Sequence, residues 1–534
     1  MDSIGNLVRA AAQKYKDKKF LFFNNKSISF NDLNEITNKI CNAVHKEGIK
    51  KGDRVAIMLP NRPEFILFWF GLNKLGVSMV PINIDFTSFE AQYLINHSES
   101  VLAITDKSHL NIVSEAKKTC TKLKKIVVID FDSNDDNIIS YYDFIKNCDV
   151  ENKFVEISKE DEAAVLYTSG TTGKPKGCIV DQFYYINTGN IYVREHMIQI
   201  NDKILTPLPL FHMNAQTLTT MGALISGASI VLIDRFHPST WWKEVRNNNA
   251  TFFHYLGVIP AMLMGLESGK FDYRDEKIYG IGAGVPKDIH EKFEKRFNVE
   301  LLEVYGSTEG GGGGIFLTGR KIEDRKVGTS AFGKLLPEVE AIIVDENDGT
   351  VDDGIIGELL VRSANKKNRR MGFMLGYLKD KEATEDVWRG NWFHTGDYCY
   401  RDSDGYYHFI DRKKNMIRRS GENISAAEIE SVLCDHPDII DSAVVAVPDK
   451  IRVEEIKAFI ILKKNSLLTP EEIISWCKER LAYFKIPRYI EFRERLPKTS
   501  TQKIQKHVLK NENKSSNENT WDRTLHMKIE RLKG

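Results

Sequence analysis

Short β-branched runs at 55–59, 101–105, 126–130 and 230–233 recur along the sequence, separated by longer amphipathic stretches such as 31–47. A period of two gives half-buried strands and a period near 3.6 gives helices with one apolar face. Their alternation predicts layered α/β structure with parallel sheets. Later runs at 341–344 and 358–361 crowd around Asp348-Gly349, which predicts a β-rich, hairpin-containing section. A chain of 534 residues outgrows a single core, so at least two domains are expected.

The second domain should begin just past Asp411-Arg412-Lys413-Lys414-Asn415, where three cations crowd a short polar stretch before a new helix and strand pattern. Residues 1–411 then form the large domain, 412–415 a hinge, and 416–510 a small α+β domain. That small domain has helices expected near 426–434 and 470–481, and strands near 442–447 and 457–462. Residues 511–519 are almost wholly Asn, Glu, Lys and Ser, so 511–534 reads as a polar tail whose Trp521, Leu525 and Ile529 could dock its end.

Charge and cysteine usage narrow the function. A formal net charge of +1 provides no electrostatic footprint for nucleic acid. The seven cysteines are scattered without a C-x-x-C pair, which suits buried reduced thiols better than a disulfide framework or zinc site. The apolar stretch 65–81 is broken by Lys74 and two glycines and is too short to span a bilayer. Met1 to Gly5 lack the features of a secretory signal, so cytoplasm is the expected location. No apolar stripe marks a subunit interface, which leaves oligomeric state open.

The most informative segment follows the apolar run 163–166: Tyr167-Thr168-Ser169-Gly170-Thr171-Thr172-Gly173-Lys174-Pro175-Lys176-Gly177. Its glycines let backbone approach an anion, its hydroxyls donate hydrogen bonds, and Lys174 and Lys176 add charge, which together suit a polyphosphate. Pro175 after Lys174 breaks the Walker A pattern. A solvated turn would have the same composition.

This string resembles the signature loop of the acyl-adenylate-forming superfamily, which includes acyl-CoA synthetases, peptide-synthetase adenylation domains and firefly luciferase. Further segments resemble that superfamily's motifs in order from about Lys51 to Lys510. Pro209-Leu210-Phe211-His212 resembles the acyl-pocket motif; a lone histidine beside apolar residues is otherwise more often core. Tyr305-Gly306-Ser307-Thr308-Glu309 resembles Y-G-x-T-E, implying that Tyr305 stacks on adenine, Thr308 bonds the α-phosphate and Glu309 holds Mg²⁺. Thr395-Gly396-Asp397 resembles the ribose motif, and Asp411 to Lys414 the hinge, with Arg412 reaching the ribose and Lys414 as pivot. Ser420-Gly421-Glu422-Asn423-Ile424 resembles the loop that lines the pantetheine tunnel after adenylation. The terminal motif is resembled by 496–504, whose Lys503 would bridge carboxylate and phosphate; Gln502 stands where that motif has glycine.

The resemblance implies an AMP-forming ligase that uses ATP, Mg²⁺, a carboxylic acid and coenzyme A, with domain alternation between two half-reactions. Candidate pocket walls are 212–216, 254–260, 282–284 (Gly284 also joining the nucleotide set) and the five glycines 310–314, which would either widen the acyl site or loosen the loop. Trp69-Phe70-Gly71-Leu72, Phe211 to Gln216 and 424–461 resemble carnitine/crotonobetaine-CoA ligases most closely. A trimethylammonium group would want an aromatic face, for which Tyr255 and Trp241 are candidates. Competing readings are a short- or medium-chain fatty acyl-CoA synthetase, an enzyme loading a carrier protein, a luciferase-type oxygenase, and an inactive nucleotide binder. No carrier domain follows Lys510, which argues against loading in cis.

Overall fold

The computed structural model describes residues 2–131, 137–151, 155–168, 175–267, 269, 276–320, 325–419, 422–449, 453–481, 483–499, 504–512 and 519–526. Its contacts divide the chain into two compact units: 1–342 with 360–395 and 405–407, and 343–359 with 396–404 and 408–534.

The first unit is built on two eight-stranded sheets. One contains the parallel neighbours Arg54–Met58, Ser78–Pro81 and Leu102–Asp106, and extends through Glu162–Thr168 to its antiparallel partner Lys176–Asp181. The other carries Lys203–Thr206, Phe252–Leu256, Ile278–Ala283 and Val299–Tyr305 as consecutive parallel neighbours. Helix Phe30–Lys46 shows why these layers pack. A capping box between Ser29 and Asp32 satisfies its first amides, and Phe30, Leu33, Ile40, Cys41 and Val44 bury one face at helical spacing. The 65–81 stretch forms the buried helix Pro63–Lys74 and the strand Ser78–Pro81. Among the described residues no helix is long and apolar enough to cross a membrane.

A five-stranded sheet runs in the order Ala331–Gly333, Tyr407–Arg412, Phe393–Arg401, Gly357–Ser363, Val339–Val344. The turn expected at Asp348-Gly349 is present: Asp348 takes φ 61° and the Asp345 amide donates to the Gly349 carbonyl at 2.9 Å.

In the second unit, strands Ile439–Asp449 and Val453–Leu462 pair antiparallel, and Tyr489–Phe492 adds in parallel. Helices Ala426–Cys434 and Pro470–Lys478 supply Ile429, Leu433, Ile473, Ile474 and Cys477 to the same core. Trp521 does dock: Trp521–Asp522 pairs antiparallel with Tyr489–Phe492, and the indole N–H donates to Glu471 at 3.1 Å. Leu525 is exposed, and Ile529 lies outside the described residues. All seven cysteines are free, five of them buried.

Candidate functional site

Antiparallel pairing of Thr168 with Lys176 sets these two residues side by side at the end of their strands. Residues 169–174, which hold Ser169, Gly170, Thr171, Thr172, Gly173 and Lys174, lie outside the described residues. Thr168 and the nearby Tyr377 meet at Glu309. The Glu309 Oε1 accepts from the Thr168 hydroxyl at 3.3 Å and from the Tyr377 hydroxyl at 3.2 Å, while Lys176 Nζ lies 5.0 Å from the centre of the Tyr377 ring. Burial, reinforced by the Glu309 charge, holds the Tyr377 phenol well above its usual range, which keeps it a donor. Tyr377 was not foreseen. It arrives on a two-residue strand, Gly376–Tyr377, too short for any periodic signal, and is placed by pairing with Cys178 and Ile179.

The backbone around Glu309 is held as firmly. The Tyr184 hydroxyl donates to the Thr308 carbonyl at 2.9 Å, and the Met374 amide to the Glu309 carbonyl at 2.9 Å. Ser307 Oγ accepts from the Gly310 amide at 3.0 Å. The glycine run that follows is neither a widened pocket nor a loose loop. A Cβ on Gly311 would stand 2.2 Å from the Tyr184 ring, on Gly312 2.7 Å from Asn187, and on Gly313 2.3 Å from Phe373. Glycine is used here for close packing.

Tyr305 ends its strand half-buried, stacked on Phe332 with centroids 4.6 Å apart and planes at 27°. Open space adjoins it. A Cβ on Gly306 would meet only Ile315, at 3.9 Å, and Gly284, at φ +78°, has nothing within 4 Å of that position. His212 is exposed on a turn closed by its amide to the Pro209 carbonyl at 3.0 Å. Asn61 and Gln216 brace this turn: the Leu210 amide donates to Asn61 Oδ1 at 2.8 Å, and Gln216 Nε2 donates to the Leu210 carbonyl at 2.8 Å. The aromatic candidates are packing residues. Trp241 is fully buried edge-on to Phe236 and Phe253, and Tyr255 is fully buried with its hydroxyl on Glu303.

In the second unit the Asp397 carboxylate is almost fully buried and pairs with Arg412 Nε at 2.7 Å, while the Arg412 side chain is about half exposed. Gly396, at φ +68°, leaves open space beside them, and its amide donates to Glu358 at 3.2 Å. Lys413 Nζ holds the other Glu358 oxygen at 2.6 Å. Asp411 ties the hinge sequence to the next helix: Oδ1 accepts from the Arg412 amide at 2.7 Å and Asn415 Nδ2 at 3.1 Å, and Oδ2 from the Ala427 amide at 3.1 Å. The Lys414 and Glu422 side chains, Gly421, Gln502 and Lys503 lie outside the described residues. The stretch bearing Lys503 is bracketed by the bridge Lys498↔Ile504 and by the Gln505 amide on the Pro497 carbonyl at 2.8 Å.

The sequence profile of the AMP-binding enzymes matches residues 8–378, and that of their C-terminal domain matches 428–503. The chain belongs to the AMP-binding enzyme family. It is 33% identical over 516 residues to a crotonobetaine/carnitine–CoA ligase of Proteus mirabilis, covering 93% of this chain and 97% of that one. It is also 33% identical over 511 residues to the enzyme of that name from Salmonella paratyphi A, 93% and 97% of the two chains. An anthranilate CoA ligase solved with anthranoyl-AMP superposes with a TM-score of 0.85 at 26% identity, over 96% and 97% of the chains. The o-succinylbenzoate CoA synthetase of Bacillus subtilis, solved with its acyl-adenylate, gives 0.82 at 25%, over 96% and 98%. This AMP-binding enzyme is an acid–CoA ligase that works on a carboxylic acid with ATP and coenzyme A.

Mg²⁺ is typical of the family, and the donor set suits it. Among the described residues no group of three or more His, Cys, Asp or Glu could hold a metal by protein ligands alone. A single carboxylate, Glu309, beside the paired ends Thr168 and Lys176 suits an ion that takes its remaining ligands from phosphate and water.

Proposed function

We propose that this ligase activates a carnitine- or crotonobetaine-like acid as its acyl-adenylate and transfers the acyl group to coenzyme A. The observation that carries the chemistry is that the Thr168 and Tyr377 hydroxyls both donate to Glu309, with Lys176 over the Tyr377 ring, at the mouth of the phosphate-loop sequence. The 33% identity to crotonobetaine/carnitine–CoA ligases along nearly the whole chain supports the acid.

In the first half-reaction a carboxylate oxygen attacks the α-phosphorus, a C–O–P link forms, and the bond to the β-phosphate breaks to release pyrophosphate. That step needs alignment and countercharge more than a protein nucleophile. We assign the polyphosphate to 168–176, the α-phosphate to Thr308 and Lys503, adenine to Tyr305, Gly306 and Gly284, and ribose to Asp397 and Arg412. Mg²⁺ at Glu309 would neutralise phosphate charge. His212 would border the acyl site. In the second half-reaction the coenzyme A thiol attacks the acyl carbonyl and AMP leaves with the carboxylate-derived oxygen. Gly421 and Glu422 would line its approach, Lys414 would be the pivot between domains 1–411 and 416–510, and 511–534 would be an appended tail. The seven free thiols support a cytoplasmic location.

A short- or medium-chain fatty acid is the second reading, favoured by the burial of Tyr255 and Trp241, which removes both aromatic candidates for a trimethylammonium cage. ATP–pyrophosphate exchange across carnitine, crotonobetaine, γ-butyrobetaine and C2 to C12 fatty acids separates them. Betaine-dependent exchange supports the first reading, and exchange with fatty acids alone refutes it.

A further inference from the structure

Three residues stand in one row across the parallel strands Phe252–Leu256, Ile278–Ala283 and Val299–Tyr305: Tyr255 pairs with Gly282, and Gly282 with Glu303. The row lies near the carboxyl ends of the strands, where open α/β sheets receive their ligands. Gly282 makes the row possible, because a Cβ there would stand 2.2 Å from the Tyr255 carbonyl oxygen and 2.7 Å from its ring. With no side chain between them, the Tyr255 hydroxyl donates to Glu303 Oε1 at 2.6 Å.

The same carboxylate turns to the loop after the middle strand. Glu303 Oε2 accepts from the Gly284 amide at 2.8 Å, and Oε1 from the Val285 amide at 3.3 Å. Glu303 is buried, as is Tyr255, whereas Gly284 is exposed and left-handed, with open space beyond it. Burial pushes the Glu303 carboxyl up, opposed by the Tyr255 hydroxyl and the two amides. A buried carboxylate costs free energy unless it is fully hydrogen-bonded, and little in the core of this sheet needs it. What its three donors specify is the path of 284–285.

We propose that Glu303 is a positioning residue for adenylation: its carboxylate, steadied by Tyr255, fixes the Gly284–Val285 turn so that the exposed face of Gly284 receives the nucleotide. Glu303 and Tyr305 lie two residues apart on one strand and so on one face of it, which couples the turn to the proposed adenine contact. The inference rests on our assignment of the nucleotide to Gly284 and Tyr305.

The test uses the full-length enzyme and ATP–pyrophosphate exchange with whichever acid it accepts. Glu303→Gln keeps the volume but has one acceptor in place of two, so one of the two amides loses its partner. Gly284→Ala perturbs the turn from its other side, since φ +78° disfavours a side chain. Each should raise KM for ATP by roughly tenfold while kcat at saturation changes less than about twofold. The double variant should resemble the worse single variant rather than the product of the two. A merely structural role would lower the active fraction, and with it kcat, and leave KM alone. Tyr255→Phe, which spares the carboxylate, gives the same test with a smaller shift, about threefold, if Glu303→Gln folds poorly.

Unchanged KM in Glu303→Gln and Tyr255→Phe, with Tyr305→Ala raising it, would overturn the role of Glu303 alone. Unchanged KM in all of them, Tyr305→Ala included, would overturn the nucleotide assignment and this proposal with it.

Discussion

Replacing Asp397 by Asn should separate binding of the ribose from everything else the site does. The Asp397 side chain is 3% exposed, and its Oδ1 lies 2.7 Å from Arg412 Nε, whose side chain is 48% exposed. Asn keeps the shape and one acceptor, so the substitution removes one charge-assisted hydrogen bond to a ribose hydroxyl, worth about 1.5–3 kcal/mol. Arg412 is rehydrated when its partner is neutralised, so its lost ion pair adds no more than about 1 kcal/mol. At about 1.4 kcal/mol per tenfold, KM for ATP should rise about 10- to 150-fold, with kcat at saturation nearly preserved. The decisive assay is exchange with ATP and with 2′-deoxyATP. Wild type should penalise the deoxynucleotide by a similar factor, and Asp397→Asn should hardly distinguish the two. A variant that still discriminates as wild type does, or whose KM moves less than twofold, would refute the ribose assignment.

Other perturbations test other parts of the account. Tyr377→Phe removes one donor to Glu309 and should raise the Mg²⁺ concentration for half-maximal exchange about two- to tenfold; Mn²⁺ binding followed by electron paramagnetic resonance in the presence of ATP checks this without turnover. Glu455→Gln leaves Arg419 uncompensated within a pair whose side chains are 2% and 1% exposed, at a cost of about 3–5 kcal/mol in urea unfolding; a loss below about 1 kcal/mol would contradict it. Among the described residues Lys74 donates to neutral oxygens of Asn34 and Asn38, and burial, then the Arg9 charge, pushes its ammonium down to about 7 from an ordinary 10.5. The unfolded chain therefore binds more protons between these values, so stability should rise with pH across that window, and Lys74→Met should flatten the rise measured by urea unfolding.

The elements were legible because each carries a local signal. Helix Ala426–Cys434 has its Ser425 cap and apolar spacing, and Lys74 marked the break in 65–81. What could not be read was anything set by pairing across the chain. Tyr377 reaches Glu309 only because its short strand pairs beside Cys178. Glu303 looks like an ordinary polar residue in a strand until register sets it opposite Gly282 and beyond that Tyr255. The glycine run 310–314 left two readings because composition does not say what surrounds a missing side chain; Tyr184, Asn187 and Phe373 do. Aromatic type made Tyr255 and Trp241 candidates for a cation while packing was the commoner role for such residues, and burial shows them to be core.

The central claim is that a carboxylate oxygen attacks the α-phosphorus before the acyl group passes to the thiol, and oxygen labelling tests it most directly. With ¹⁸O in both carboxylate positions of γ-butyrobetaine, mass spectrometry should find one label in AMP and one in the acyl-CoA. Label in inorganic phosphate with ADP as product, or acyl-CoA formed with unlabelled AMP, would contradict the account.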